Sequence, residues 1–274
     1  MEAEPKPGTR SAGQVQFPAS TASTAGLRRF NVVLGLLHLA QGILMLILSS
    51  SFALPVVTNF LYFNPATRTL LPRPETLVEV RIGPAVAAFL FLSSIAHFAV
   101  ASPWVYPWYS RRVRTGANPA RWAEYSLSSS LMIVIIAMLV GIYDIAALIA
   151  IFGVNACMIL FGWVMERYNQ GRHGVDWLAY WFGVFAGAVP WIAIGIYLFG
   201  AGAGTSARPP AFVYFIYGSI FLFFSVFALN MVLQLRQTGR WRNVLFGETV
   251  YMLLSLFAKS ALAWQVFAGT LRPM

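Results

Sequence analysis

The sequence predicts an all-α membrane protein: seven transmembrane helices in one bundle, with a short β-hairpin in the first outer loop. Three observations carry that expectation. Of 274 residues, 58% are hydrophobic and only 10% charged, whereas a soluble domain has about 25% charged; mean hydropathy is +0.68. Seven stretches each approach the about 20 apolar residues that a spanning helix needs to satisfy its backbone in hydrocarbon. The basic residues gather in alternate loops. This composition excludes an ordinary cytosolic enzyme and a disordered chain. A single cysteine excludes a disulfide framework and a multi-thiolate metal site, and no His/Cys/Asp/Glu spacing suggests a metal.

In chain order, residues 1–26 are rich in Pro, Ser, Thr, Ala and Gly and read as a disordered tail without the apolar core of a cleaved signal peptide. Residues 27–270 form the helical domain. Its spans are predicted at roughly 28–52, 79–103, 120–143, 145–167, 176–200, 210–235 and 243–268. Between the first two, Val56 to Phe63 is β-branched and aromatic, Asn64-Pro65-Ala66-Thr67 is a turn signal, and Arg68 to Leu71 supplies a return strand. The third and fourth spans are joined only by Tyr143 and Asp144, which predicts a tight antiparallel pair. No internal repeat is visible, which weakens an inverted-repeat transporter.

The formal charge of +10 first suggests a nucleic-acid binder, but its placement argues otherwise. The tail and the 104–121, 167–175 and 236–242 loops hold thirteen of the nineteen basic residues, and the alternate loops and C-terminus hold five. The positive-inside rule then puts the N-terminus in the cytoplasm and the C-terminus outside, in a multi-pass protein of the plasma membrane. The charge is a topology signal and a match to anionic inner-leaflet lipid, with no nucleic-acid partner implied.

The last basic residue, Lys259, lies inside the seventh span, and Glu124 lies near the start of the third. Ionisable groups at such depths are functional candidates. A lysine amine in an apolar site is a nucleophile for an aldehyde. The resulting Schiff base, once protonated, needs a nearby carboxylate. Helix side chains tilt toward the N-terminus, so Lys259 leans back toward Glu124. A purely structural ion pair is the alternative. Ser128, at i+4 from Glu124, and Ser255, at i−4 from Lys259, share faces with the pair. Both can equally back-bond to their own helix. His38 and Gln41 share a face of the first span, His97 lies deep in the second, and together they can hold water and accept a proton, or simply join helices.

Several strings now narrow the reading: Leu37-His38-Leu39-Ala40-Gln41, Ser93-Ser94-Ile95-Ala96-His97, Arg121-Trp122-Ala123-Glu124-Tyr125, Asn155-Ala156-Cys157-Met158 with Phe161-Gly162, and Leu254-Ser255-Leu256-Phe257-Ala258-Lys259. With seven spans around one buried lysine, the chain resembles the heliorhodopsins, retinal proteins of inverted orientation, over roughly 28–268. The resemblance implies all-trans retinal on Lys259 with Glu124 as counterion. It implies Ser255 beside the Schiff base, His38, Gln41, His97 and Ser93 around a polar cavity, and Ser128, Met132, Asn155, Met158 and Phe224 as further pocket candidates. It also implies a light sensor with a slow photocycle, no enzymatic activity, a homodimer and a cytoplasmic signalling partner. Gly183-Val184-Phe185-Ala186-Gly187 is a small-xxx-small pattern suited to that dimer.

A proton pump needs a second carboxylate eleven residues beyond the counterion, where this chain has Ile135, and Ser255 stands where pumps place a second acid. The leading expectation is therefore a photoreceptor. A light-gated proton channel or transporter is one alternative, and a membrane enzyme or lipid carrier using Lys259 as nucleophile is another.

Overall fold

The computed structural model describes residues 24–172, 174–202 and 208–271; most of the predicted tail lies outside them. Seven membrane-length apolar helices are present among the described residues. They are α1 (Ala25–Leu48), α2 (Ile82–Ala101), α4 (Pro119–Leu139), α5 (Ile145–Tyr168), α6 (Leu178–Gly200), α7 (Ala211–Leu235) and α8 (Val244–Val266). A short amphipathic helix, α3 (Tyr106–Arg114), lies in the loop after α2 and was not anticipated. Its arginines gather at its C-terminal end, where cations suit the helix dipole. The expected loop before α8 also contains a 3₁₀ turn, Gly239–Arg242.

Local chemistry sets several boundaries. The Asn118 side chain caps α4 by accepting from Arg121 N, with Pro119 in the first turn. Asp144 caps α5, accepting from Ala146 N and Ala147 N. Gly141 takes the left-handed backbone (φ +97°) that turns the chain between α4 and α5.

The hairpin is much longer than expected. β1 (Ala53–Asn64) and β2 (Thr69–Arg81) pair antiparallel, with an irregularity at Val56/Val57. Strand therefore covers residues 79–81, which the hydropathy pattern assigns to the second span. Pro72 and Pro74 hid the continuation of the return strand past Leu71, because proline is tolerated in sheets mainly at edges, and both strands of a two-stranded ribbon are edges. The base of the ribbon is tied down: Val57 N donates to Tyr143 O (2.9 Å), and Ser50 N to Leu271 O (2.8 Å).

The interior divides by depth. Spans 1, 3, 5 and 7 begin at what is here called the N-terminal face. The half of the bundle beyond mid-depth is dry, filled by Val86, Phe89, Leu90, Ile133, Ile135, Ile136, Ile194, Ile216, Ile220 and Leu262. The buried polar and charged side chains, among them Asn31, His38, Ser93, Arg121, Glu166, Glu248 and Lys259, lie at mid-depth or toward the N-terminal face. On α1, Gly35 and Gly42 leave room for the rings of Phe98 and Phe91 on α2.

Gly183 and Gly187 face inward, correcting the dimer assignment. A Cβ at Gly183 would lie 3.3 Å from Phe161 Cβ, and one at Gly187 would meet Met158 Sδ. The small-residue stripe lets α5 and α6 of one chain approach each other. Gly187→Leu is expected to cost about 1–3 kcal/mol through overpacking, seen as a lower Tm in detergent with an unchanged oligomeric state. Dissociation of an oligomer at unchanged Tm would return the motif to the dimer.

Candidate functional site

The site grows from two helices that both start at the N-terminal face. On α8, Glu248, Met252, Ser255 and Lys259 are spaced i, i+4, i+7 and i+11, one face of a helix, and all four are buried. On α4, Arg121, Glu124, Ser128 and Met132 repeat the pattern at i+3, i+7 and i+11. The facing stripes put charged groups at two levels.

At the deeper level, Lys259 Nζ donates to Glu124 Oε1 (2.7 Å) and to Ser255 Oγ (3.0 Å). Ser93 Oγ, from α2, also donates to Glu124 Oε1 (2.7 Å). The ammonium lies 5.0 Å from the centroid of the Tyr125 ring, an added cation–π contact. Lys259 is 3% exposed. Ser255 and Ser93 therefore touch the pair directly. Ser128 is buried on the same face, one turn beyond Glu124.

His38 and His97 stack with centroids 5.6 Å apart and planes 9° apart. Asn31 Nδ2 donates to Leu27 O (2.8 Å), which turns Asn31 Oδ1 toward His97 Nδ1 (2.8 Å) and makes that nitrogen the protonated one. Both ring nitrogens of His38 are buried without a partner. Gln41 departs from the expected cluster: it is half-buried, and its Oε1 accepts from Trp264 Nε1 (3.1 Å).

The second level was missed. Arg121, Glu166 and Glu248 were expected at the membrane surface, yet their side chains are 3–4% exposed and joined as one ionic cluster. The guanidinium bridges Glu166 on α5 and Glu248 on α8 and lies 3.8 Å from the centroid of the Tyr251 ring. Asn118 Nδ2 donates to Glu248 Oε1 (2.6 Å) and Asn118 N to Glu166 Oε2 (3.0 Å). Trp122 Nε1 donates to Glu166 Oε2 (2.7 Å). The signal was available: Glu248 shares the Lys259 face three turns earlier.

A polar cavity of about 40 Å³ connects the two levels, with Ser93, His97, Asn31, Tyr109, Glu124, Arg121 and Glu248 in its wall. Burial, reinforced by the Glu248 carboxylate, pushes the Tyr109 phenol well above its ordinary range and keeps it protonated. A second, apolar cavity of about 130 Å³ lies among α4, α5, α6 and α7, lined by Trp122, Ser129, Met158, Gly162, Phe224 and Phe227 among others. Met158 and Phe224 both line it. Met132 and Asn155 do not line it. Met132 belongs to the dry core, and Asn155 Nδ2 donates to Ser129 Oγ (2.9 Å) and Ser130 Oγ (3.0 Å). Ser129 follows Tyr125 by one turn, so this hollow begins beside the ring that faces Lys259.

A family model described as Heliorhodopsin matches residues 27–271. The chain belongs to the heliorhodopsin family. The family and the rhodopsin-like bundle support a retinal photoreceptor in a multi-pass membrane protein. The fold is shared with the crystal structure of the transmembrane domain and linker region of Salpingoeca rosetta rhodopsin phosphodiesterase. That match has a TM-score of 0.59 at 14% identity, covering 89% of this chain and 71% of that one. The comparison with curated proteins found no match. The rhodopsin family implies a retinal chromophore, and the residues present fit one. A buried amine with a carboxylate partner is separated from an aromatic, apolar hollow by the Tyr125 ring, which packs against Phe227 in the wall of that hollow at 5.4 Å.

Removing one partner from a buried ionic cluster leaves uncompensated charge and costs about 3–5 kcal/mol. Arg121→Ala is expected to lower Tm far more than Arg111→Ala, whose side chain is exposed. Equal effects in a thermal melt would contradict the burial of this cluster.

Proposed function

We propose that this heliorhodopsin senses light through all-trans retinal joined to Lys259 as a protonated Schiff base, with Glu124 as its counterion. One observation carries the reading: the buried Lys259 Nζ is bonded to Glu124 Oε1 at 2.7 Å. When bound, the polyene supplies visible absorption and light-driven isomerisation. The protein supplies the rest. Glu124 balances the charge at Nζ, and Ser93 and Ser255 hold the two groups in register. Met158 and Phe224 wall the adjoining hollow.

The arrangement favours a slow photocycle and signalling over ion pumping. A proton leaving Nζ meets Glu124 and the polar cavity on the N-terminal side. Beyond Lys259, Ile135 and its neighbours form a core without a carboxylate among the described residues. A proton displaced one way, without a return route on the other side, shifts local charge and so biases helix packing. The reading places the N-terminal face in the cytoplasm, in line with the arginine asymmetry. There Arg111, Arg112, Arg167, Arg172, Arg236, Arg240 and Arg242 are exposed to a signalling partner. The long outer ribbon is the surface offered to a second copy in a homodimer.

The polar cavity below Glu124 favours a second reading, a light-gated proton channel, in which the dry half would have to open. Illumination under voltage clamp separates the two: a photoreceptor gives no current, and a sustained photocurrent would overturn the sensor reading.

Adding all-trans retinal is expected to produce a visible absorption band that Lys259→Ala abolishes. Glu124→Gln should move the band to longer wavelength, because the excited-state shift of charge away from nitrogen is less opposed without the counterion. A band that survives Lys259→Ala ends the attachment assignment, and an unshifted band in Glu124→Gln ends the counterion assignment.

A further inference from the structure

The cluster of Arg121, Glu166 and Glu248 has an imbalance that helix packing does not require. One guanidinium faces two buried carboxylates. The hydrogen-bonding partners of those carboxylates are donors: Arg121 and Asn118 on Glu248, and Arg121, Asn118 N and Trp122 Nε1 on Glu166. With both carboxylates ionised, the single guanidinium leaves the cluster a net charge of minus one at the wall of the polar cavity. A buried unbalanced charge is the group that gains most from neutralisation.

From these observations we infer that Glu248 is the second proton site of the photoreaction, receiving the proton that leaves Lys259 Nζ. The inference rests on the reading that Lys259 carries retinal. Glu248 and Glu124 line the same cavity, whereas Glu166 does not. Ser93 donates to Glu124 at one end of that cavity. His97 and Tyr109 are joined through Asn31 along its wall, at 2.8 Å and 3.4 Å. The cavity, at about 40 Å³, has room for water, which needs on the order of 10–15 Å³ by that measure.

The charges balance. The N–H bond at Lys259 breaks and leaves a neutral nitrogen, and an O–H bond forms on Glu248. Glu124 stays anionic, held by Ser93, and Arg121 with Glu166 becomes a neutral pair, so the single negative charge moves from the cluster to Glu124. A proton parked on Glu124 would lie 2.7 Å from the nitrogen it had left. On Glu248 it is separated from that nitrogen by the length of the cavity, which suits a long-lived signalling state. The titratable groups facing Glu248 are Arg121 and Tyr125 on α4, Glu166 on α5, Tyr109 on α3, Tyr251 on α8, and Glu124 and His97 across the cavity.

The test is light-minus-dark infrared spectroscopy of the full chain loaded with retinal in lipid vesicles. It is run beside visible absorption, which reports deprotonation at Lys259 as a shift to shorter wavelength. A carbonyl-stretch band of a protonated carboxylic acid should rise with that shift. The band should vanish in Glu248→Gln, move in frequency in Glu248→Asp and persist in Glu166→Gln. The aspartate variant keeps the charge that Arg121 needs, so it serves if the glutamine variant fails to fold. A band insensitive to both Glu248 variants, or no such band while the short-wavelength species forms, overturns the inference and leaves the retinal reading intact. Failure to form any visible pigment overturns the retinal reading itself.

Discussion

A lysine ammonium past the middle of a membrane span is tolerable only against a carboxylate, and much of this structure follows from that pairing. Desolvating either ion alone costs several kcal/mol. The pair therefore needs α4 and α8 to run the same way and face each other across the bundle, so that a long side chain tilting toward the N-terminus reaches the Glu124 carboxylate at 2.7 Å. It also needs hydroxyls that satisfy the remaining lone pairs, which Ser93 and Ser255 provide from α2 and α8. Three spans are fixed relative to each other by one ion pair. The same demand explains why Tyr125 is turned to place its ring against the ammonium while its hydroxyl donates to Tyr251 O at 2.9 Å.

Polar groups concentrate on one side of that pair. Toward the N-terminal face there are two histidines, three further buried charges and a hydrogen-bonded asparagine at each end of the cavity. Beyond Lys259 the fully buried side chains are aliphatic and aromatic, with the half-buried Ser219–Gln265 and Gln41–Trp264 pairs among the polar contacts there. A charge displaced within such a bundle sees a high local polarisability in one direction and almost none in the other. In the proposed photoreaction, the asymmetry of the packing sets a direction without any valve.

The chain's hydropathy made the seven spans and the central ion pair legible, because burying charge in hydrocarbon is the strongest constraint on such a sequence. Lys259 and Glu124 stood out as ions within apolar runs. Arg121, Glu166 and Glu248 did not, because each lies within a turn or so of a span end, where a charge is ordinarily solvated. Only their convergence in space reveals one cluster. Gly183 and Gly187 were visible as a stripe, but a stripe permits close approach by any helix, and sequence spacing does not say whose. The extent of β2 was hidden by Pro72, Pro74 and the charges between them. Gln41 shares the His38 face by spacing, yet the helix faces Trp264 at that height.

Those prolines have a consequence for how the outer ribbon meets other molecules. Proline has no amide hydrogen, so residues 72 and 74 sit where their nitrogens need no ladder partner, which is the side of β2 turned away from β1. At two successive outward positions that margin of the ribbon lacks a donor. A strand from another chain cannot zip onto it, although Phe60, Leu61, Phe63 and Leu70 nearby are well exposed. On the β2 side the ribbon can be gripped through its side chains but not extended through its backbone, so one of its two free edges is kept from templating fibrous growth, and strand addition is left to the outer margin of β1.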